Sequence, residues 1–520
     1  MSRFSCSRRG AIGAGVAAVL GASAARAVIA PRYPFTLGVA SGEPAPDGVV
    51  LWTRLAPDPL MPAGGMAPAS VPVQWEVSED EHFASVRSGT ALAEPAWGHS
   101  VHVVVAGLRP NRPYWYRFIA GGETSPIGRT RTSPAPGVMV DRLRIAFASC
   151  QDYEVGYYAG HAHIVADAPD LVVFLGDYIY EGNSTAANVL RRHPTPEPVD
   201  LDGYRARYAT YKSDLLLQAA HQAAPWISTW DDHEVVDNYA NDLDKRNGDR
   251  AALLRRRAAA YQAFYEHTPL RPAQRPVGPA MQLYRTVDWG TLAQFQVIDD
   301  RQYRAPPPCQ PEDSIARHLD AVWLTPDCAE RHDPARSLLG DIQETWLYGK
   351  LAKTPARWNL LAQQTLMMPY TRIDPATPCA APSVYNSDGW EGYAGSRERL
   401  LRQWRDARTP NPVVLSGDIH AFVAADHVDP DDPSRVIAAE FVGGSMTSGN
   451  HDATLREATA RDPNFRFAEN RVRGYARADI LPDRCEMAFR GVSNVRDPHA
   501  TVTDIARFTL ENGRPGIRPG

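Results

Sequence analysis

Four short segments of the sequence carry the thiol, carboxylate, phenol and imidazole side chains with which proteins bind metal ions. They contain, in chain order, Cys150, then Asp177 with Tyr180 and Glu181, then Asp231-Asp232-His233-Glu234, and then Asp418 with His420. A lone cysteine or a Gly-Asp turn is common without any function. Several carboxylates brought together, however, repel one another unless a cation neutralises them. The set therefore predicts a cluster of two or more metal ions.

The ligand types indicate which ions such a cluster would hold. Thiolate, phenolate, carboxylate and imidazole groups around one ion suit a redox-capable transition metal such as Fe(III). Sites rich in carboxylate oxygen suit Ca²⁺, Mg²⁺ or Mn²⁺. Because two metals bridged by one carboxylate are a standard arrangement for displacement at phosphorus, phosphate esters become the candidate substrates.

Each of the four segments follows an apolar run that is typical of a buried strand. These runs are residues 143–148, 171–175, 226–230 and 412–415. A helix-compatible segment at 157–166 separates the first two runs, and this strand–helix–strand spacing predicts a βαβ unit with parallel strands. Ligands of open α/β sheets bind outside the carboxyl ends of the strands, so the four segments should meet at that edge.

The chain before residue 135 has a different pattern, made of short alternating strands separated by turns. Apolar and polar residues alternate with period two at 71–77. Two further strand-like segments, at 101–105 and 114–118, lie on either side of a turn at 107–111. Such spacing predicts a small β-sandwich, and its last part resembles fibronectin type III modules. The segment Pro134-Ala135-Pro136-Gly137 is interpreted as a linker.

Longer strings resemble those of the PhoD-type alkaline phosphatases, within the calcineurin-like metallophosphoesterases. The strings are FASCQ at 147–151, GDYIYE at 176–181, WDDHE at 230–234 and SGDIH at 416–420, with GVASG at 38–42, LWTR at 51–54 and LAQQ at 361–364. The resemblance implies an α/β fold, a two-sheet αββα sandwich, preceded by the fibronectin-III-like β-sandwich domain. The predicted divisions are an export signal at 1–27, the N-terminal domain at 28–135 and the catalytic domain at 136–520.

The resemblance also implies a ligand set of one Fe(III) and a number of Ca²⁺ ions that the sequence leaves open. The expected iron ligands are Cys150, Asp177, Tyr180 and His420. Asp177 would bridge to calcium, which Asp232 and Asp418 would also hold. Either Asp231 or Asp232 could be the ligand, and Asp232 is chosen because metallophosphoesterases place it directly before the histidine. His233 would then lie beside the phosphate as the catalytic residue, whereas Asn238 and residues 385–390 resemble family segments without an assigned role.

The function implied is hydrolysis of phosphate monoesters, with diesters also open, by attack of a metal-bound hydroxide on phosphorus. His233 would stabilise the transition state or protonate the leaving alkoxide. No protein nucleophile is required, so no phosphoryl-enzyme is expected. Two alternatives remain, a phosphodiesterase of phospholipase D type on the same metal site and a non-catalytic binding protein.

The N-terminus predicts export. Arg3, Arg8 and Arg9 precede an uncharged run at 10–22, and Ala25-Arg26-Ala27 offers a cleavage site. The Arg8-Arg9 pair favours the twin-arginine route, which would suit a protein that folds around a cofactor before it crosses the membrane. We expect a periplasmic or extracellular protein without a transmembrane segment in its mature chain.

Cysteine count and charge complete these expectations. Signal cleavage would remove Cys6 and leave five of the six cysteines. With Cys150 as a metal-bound thiolate, the other four cysteines can form two disulfides in three different ways. Of these we choose Cys309–Cys328 with Cys379–Cys485.

The composition, with 44% hydrophobic and 22% charged residues, excludes a disordered or fibrous chain. The net charge of −5 gives no reason to expect a nucleic-acid partner. The resemblance implies a small-molecule or lipid phosphate ester as the partner and leaves the oligomeric state open.

Overall fold

The computed structural model describes residues 32–187, 189–244, 249–309, 323–373, 382–450 and 452–520. The predicted export signal at 1–27 lies outside these residues, so the signal and its route stay predictions. None of the helices among the described residues combines the length and the hydrophobicity needed to cross a membrane.

Strands dominate the described chain. The N-terminal strands are β1 (Val39–Ala45), β2 (Gly48–Arg54), β3 (Val71–Ser78), β4 (Val86–Ala93), β5 (Ser100–Ala106), β6 (Pro113–Ala120), β7 (Glu123–Thr124) and β8 (Gly128–Arg131). The middle strands are β9 (Leu143–Ala148), β10 (Leu171–Leu175), β11 (Trp226–Thr229), β12 (Arg285–Trp289), β13 (Ala293–Val297), β14 (Trp323–Leu324), β15 (Trp358–Ala362) and β16 (Tyr385–Asn386). The last strands are β17 (Pro412–Ser416), β18 (Phe422–Asp429), β19 (Asp432–Gly443), β20 (Phe465–Glu469), β21 (Arg473–Ile480), β22 (Arg484–Val492), β23 (Val502–Glu511) and β24 (Arg514–Pro519).

The α-helices lie mostly between the middle strands, where parallel neighbours need crossover connections. They are α1 (Ala159–Ala166), α2 (Leu201–Lys212), α3 (Leu215–Ala223), α4 (Arg250–His267), α5 (Asp341–Leu351), α6 (Ala394–Ala407) and α7 (Ala453–Arg461). Aspartates cap four of them: the side chains of Asp200, Asp214, Asp249 and Asp452 accept backbone N–H groups at the starts of α2, α3, α4 and α7. These caps satisfy helix N–H groups that have no partner within the helix.

The N-terminal strands form the predicted β-sandwich. Strands β1, β2 and β5 face a second sheet in the order β4-β3-β6-β7, with β8 on β6. Strand β6 alternates buried and partly buried residues along its length, as a strand with one face on a core should. The core that the two sheets share includes Val49, Leu51, Val73, Tyr116 and Phe118.

One sheet of this sandwich continues into the rest of the molecule. Strand β1 pairs in parallel with β11, through Gly42 and Trp226. A Cβ atom at Gly42 would lie 2.7 Å from the carbonyl oxygens of both Trp226 and Pro269, so only glycine allows this approach. The sandwich therefore shares a sheet with the catalytic region, and the predicted boundary at residue 135 stays a prediction.

The remaining strands form the predicted two-sheet sandwich with helices outside. One sheet has the order β24-β23-β22-β21-β9-β10-β11-β1-β2-β5, and the facing sheet has the order β12-β13-β15-β17-β19-β18-β20. An apolar core lies between them and includes Ile145, Val173, Leu360, Leu415 and Phe489. Helices α1 to α4 contribute to a second core on the outer face of the first sheet, whereas α5 and α6 contribute to one on the second. The expected αββα architecture is confirmed.

Parallel pairing brings the chemistry-bearing segments to one edge. Strands β9, β10 and β11 are mutually parallel neighbours, which confirms the predicted βαβ unit. In the facing sheet β13, β15, β17 and β19 are parallel in the same way. The carboxyl ends of parallel strands share an edge, so the loops that follow them can assemble one site.

One of the two predicted disulfides is confirmed and the other is wrong. Cys309 and Cys328 form a disulfide, as predicted. The second pairing is wrong, because Cys485 is a free thiol on β22 with its side chain in the core between the two sheets. Its expected partner, Cys379, lies outside the described residues.

Candidate metal centre

Two overlapping groups of potential ligands lie at the shared edge. In the first, ligand atoms of Cys150, Asp177 and His420 all lie within 4.8 Å of one another. In the second, the same is true of Asp177, Asp232 and His233. Asp177 belongs to both groups, so its carboxylate could contribute to two neighbouring sites.

The backbone adopts a left-handed conformation at four residues that place side chains at this edge. Cys150, Asp177, Asp418 and His420 all have positive φ, at 59°, 53°, 60° and 54°. This region is unfavourable for residues other than glycine, and such residues cluster at functional sites. Gly176, at a φ of 97°, permits the turn before Asp177, because a Cβ there would lie 2.5 Å from that of Asp231.

Tyr180 joins the first group through its hydroxyl. This oxygen lies 3.1 Å from Asp177 Oδ2 and 3.0 Å from His420 Nε2, and it accepts a hydrogen bond from Ser448 Oγ at 2.8 Å. His420 Nδ1 lies 3.0 Å from the carbonyl oxygen of Gly449, which can only accept. Nδ1 therefore carries the proton, and Nε2 presents its lone pair to the site.

Arg301 distinguishes the two adjacent aspartates. Its Nε donates to Asp231 Oδ1 at 2.5 Å, so Asp231 is engaged in a buried ion pair. Asp232 lies in the second ligand group, and its Oδ2 accepts the backbone N–H of Asn238 at 2.6 Å. Arg301 Nη2 lies 3.8 Å from Asp232 Oδ1 and 3.9 Å from Asp418 Oδ1. This arrangement favours Asp232 over Asp231 as a ligand and brings Asp418 to the same side.

The charges of the cluster fit cations. Burial, followed by the neighbouring carboxylates, raises the pKa of Asp177 well above its usual range, and burial raises the pKa of Asp418 to about 7. Burial and the nearby Asp177 also raise the pKa of the Cys150 thiol. Asp177 Oδ1 is buried and has no hydrogen-bond partner among the described residues. A bound cation would stabilise these anions and satisfy that oxygen.

His233 points toward the same carboxylates from the other side. Its Nδ1 donates to Glu181 Oε2 at 2.7 Å, which leaves Nε2 for another partner. Burial lowers the pKa of His233, but Asp232, Glu181 and Asp177 outweigh it, so the pKa lies well above its usual range. The ring lies 4.2 Å from that of Tyr180, centroid to centroid. Glu181 therefore orients the His233 ring, and the surrounding carboxylates favour its protonated form.

Several residues that support the site were not predicted in these roles. Glu234 accepts the backbone N–H groups of Asp177, Tyr178 and Asp231, and so fixes two strand ends to each other. Arg301 donates from Nη1 to both oxygens of Asp388, at 2.9 and 3.0 Å. Arg301 comes after β13, but this strand alternates apolar and polar residues and lacks the continuous apolar run that identified the other segments.

Comparisons with known proteins agree with this architecture. The family described as PhoD-like phosphatase matches residues 145–489, and the one described as PhoD-like phosphatase, N-terminal domain, matches residues 21–134. Alkaline phosphatase D of Bacillus subtilis (strain 168) is 46% identical over 498 residues, which cover 94% of this chain and 82% of that protein. A solved structure described as "Structure of PhoD" has a TM-score of 0.86 at 43% identity and covers 95% of this chain and 93% of that one. The predicted resemblance is confirmed, and the chain belongs to the PhoD-like phosphatase family.

Proposed function

We propose that this chain is an exported, metal-dependent alkaline phosphatase that hydrolyses phosphate monoesters and also accepts diesters. The observation that carries the proposal is the position of Asp177, whose carboxylate is shared by two groups of potential ligands. The name of the Bacillus subtilis relative supports the same reaction. Export is supported by the basic residues, apolar run and cleavage site within residues 1–27.

The proposed iron ligands are Cys150, Asp177, Tyr180 and His420, and the proposed calcium ligands are Asp177, Asp232 and Asp418. Soft and aromatic donors gather in the first set, which favours a transition metal, whereas the second contains only carboxylates, which favour calcium. Such ions supply Lewis acidity, which lowers the pKa of water and neutralises charge on phosphoryl oxygens. These ligand sets do not fix the number of calcium ions.

His233 is the proposed catalytic residue. Glu181 holds Nδ1 and orients the ring, so the proton on Nε2 can be donated to a phosphoryl oxygen or to the leaving alkoxide. Glu181, which is not a proposed metal ligand, raises the pKa of the imidazole against the effect of burial, and so favours the protonated form that this role requires. No side chain is proposed to attack phosphorus.

Metal quantification combined with ester assays tests the proposed function. Freshly purified protein should contain iron and calcium and should hydrolyse p-nitrophenyl phosphate, with activity reduced by removal of Ca²⁺. A much higher rate on bis(p-nitrophenyl) phosphate and on a phospholipid would instead indicate a phosphodiesterase of phospholipase D type. Protein without bound iron or calcium and without hydrolysis would indicate a non-catalytic binding protein.

Replacing His233 by glutamine should lower kcat by about 10²- to 10⁴-fold, the usual contribution of a general acid. Iron and calcium content should stay unchanged, because His233 is not a proposed ligand. Steady-state kinetics and metal analysis of the same preparation measure both quantities. His82→Gln, at an exposed position of the N-terminal sandwich, is the control and should match the wild type. Loss of metal from His233→Gln would make the histidine a ligand instead.

Replacing Tyr180 by phenylalanine should remove the visible absorption that a phenolate gives when it binds Fe(III). The change deletes only the hydroxyl that lies near Asp177 and His420. Absorption spectra of iron-loaded wild type and variant measure the effect. Tyr178→Phe is the control, since the Tyr178 hydroxyl lies 2.8 Å from His221 rather than in the ligand group. An unchanged spectrum in Tyr180→Phe would remove Tyr180 from the ligand set.

A further inference from the structure

Two serines in the segment that follows β19 contact residues of the proposed iron ligand set. The hydroxyl of Ser445 donates to the carbonyl oxygen of Cys150 at 2.9 Å. The hydroxyl of Ser448 lies 2.8 Å from the phenol oxygen of Tyr180 and 3.1 Å from the same carbonyl oxygen. Both serines are buried. Ser448 therefore reaches the side-chain oxygen of a proposed ligand, whereas Ser445 bonds to the backbone of one.

The hydroxyl of Ser448 has one proton to donate, and the Cys150 carbonyl oxygen does not require it. A carbonyl oxygen offers two lone pairs. This one already accepts the Ser445 hydroxyl at 2.9 Å and the backbone N–H of Thr447 at 3.2 Å. Because the Tyr180 oxygen is also the closer of the two acceptors, the Ser448 proton is directed to Tyr180.

The other polar neighbours of the Tyr180 oxygen cannot donate to it once the phenol is ionised as a metal ligand. Asp177 Oδ2, at 3.1 Å, belongs to a carboxylate, which only accepts. His420 Nε2, at 3.0 Å, presents a lone pair, because the proton of this ring is on Nδ1. Among the described residues, Ser448 is thus the hydrogen-bond donor for a phenolate at this position.

We propose that Ser448 is a positioning residue that limits how strongly Tyr180 donates electrons to the metal. This inference rests on the proposed function and its ligand set. A hydrogen bond to a phenolate oxygen stabilises the electrons on that oxygen and fixes its position. Partners of this kind orient metal ligands and tune their basicity. With Ser448 in place, Tyr180 neutralises less of the positive charge on the metal, which preserves the Lewis acidity that phosphate ester hydrolysis uses.

The test is the visible absorption of the protein loaded with Fe(III), together with hydrolysis of p-nitrophenyl phosphate by the same preparation. The absorption that Tyr180→Phe removes is the phenolate band, in which light moves an electron from the phenolate to iron. The hydrogen bond raises the energy of that transition. Ser448→Ala should therefore shift the band to longer wavelength by roughly 10–30 nm, the scale of one hydrogen bond to a charged group. It should also lower kcat/KM by about tenfold.

Ser445→Ala is the matched control, since it removes a buried hydroxyl of the same segment that bonds to the backbone of Cys150 rather than to a ligand side chain. It should keep the wild-type band position. Ser448→Thr retains the hydroxyl and should keep that position as well. In a Tyr180→Phe background, Ser448→Ala should leave the remaining absorption unchanged, because the acceptor oxygen is gone.

The outcomes separate this inference from the proposed function. An unchanged phenolate band in Ser448→Ala, or an equal shift in Ser445→Ala, would overturn the inference alone when the wild type hydrolyses p-nitrophenyl phosphate. An active, iron-loaded wild type without a phenolate band would remove Tyr180 from the ligand set, and the inference with it. Absence of p-nitrophenyl phosphate hydrolysis by metal-loaded wild type would overturn the proposed function, and this inference would fall with it.

Discussion

Asp177→Asn should lose iron and calcium together and should lower kcat/KM by at least about a thousandfold. The carboxylate belongs to both ligand groups, and its neutral isostere cannot bridge two cations. Bound metals contribute several kcal/mol of transition-state stabilisation, and each ~1.4 kcal/mol corresponds to a factor of ten in rate. Metal analysis and steady-state kinetics on one preparation measure both losses.

Thermal unfolding gives a readout of Asp177→Asn that does not depend on activity. Ions that bind only the folded state raise its stability, so a chelator should lower the Tm of the wild type. The same chelator should leave the Tm of Asp177→Asn almost unchanged. Without metal the variant should be at least as stable as the wild type, because it removes one carboxylate from a cluster of like charges.

Asp170→Asn is the matched control, since Asp170 lies directly before β10 and Asp177 lies after the same strand. Asp170 accepts from Arg131 at 2.9 Å, so its replacement costs some stability. It should keep iron, calcium and activity because it lies at the opposite end of the strand. Full iron content and full activity in Asp177→Asn would show that the bridging assignment is wrong.

The sequence was sufficient to predict the strands whose ends carry reactive side chains. The runs before Cys150, Asp177, Asp231 and Asp418 are largely apolar, because these strands are buried on both faces along most of their length. That pattern predicted the edge at which the ligands meet. The relative positions of those ligands depend on tertiary pairing, which the local pattern does not contain.

Other features could not be read from local patterns. Strand β13 contains Gln294 and Gln296, which are buried but hydrogen-bonded, so its residues alternate between apolar and polar and Arg301 after it was missed. The continuity of the N-terminal sheet depends on the close approach at Gly42, between residues far apart in sequence. The pairing of Cys485 failed because a buried cysteine in a strand looks the same in sequence whether or not it forms a disulfide.

Arg301→Met should destabilise the metal-free protein by about 3–5 kcal/mol, the usual cost of removing one partner from a buried ion pair. Arg301 is fully buried and engages Asp231 and Asp388, so Asp231 would lose its ion-pair partner and Asp388 would keep only Arg304. Chemical unfolding in the presence of a chelator measures the loss. Arg484→Met is the control: Arg484 pairs with Asp483 at the surface, where an ion pair contributes about 0–1 kcal/mol.

Calcium should restore more stability to Arg301→Met than it adds to the wild type. The guanidinium lies within 3.9 Å of Asp232 and Asp418, and at such a distance a unit charge contributes about 4 kcal/mol at an effective dielectric constant of about 20. Removing the guanidinium strengthens the attraction of these two carboxylates for calcium. This gain in calcium-binding free energy exceeds the ~1–2 kcal/mol that is lost because the side chains are less well positioned without Arg301. Unfolding midpoints across a calcium titration measure the difference. Equal calcium responses in both proteins would mean that Arg301 stabilises the fold without acting on the charge of the proposed calcium ligands.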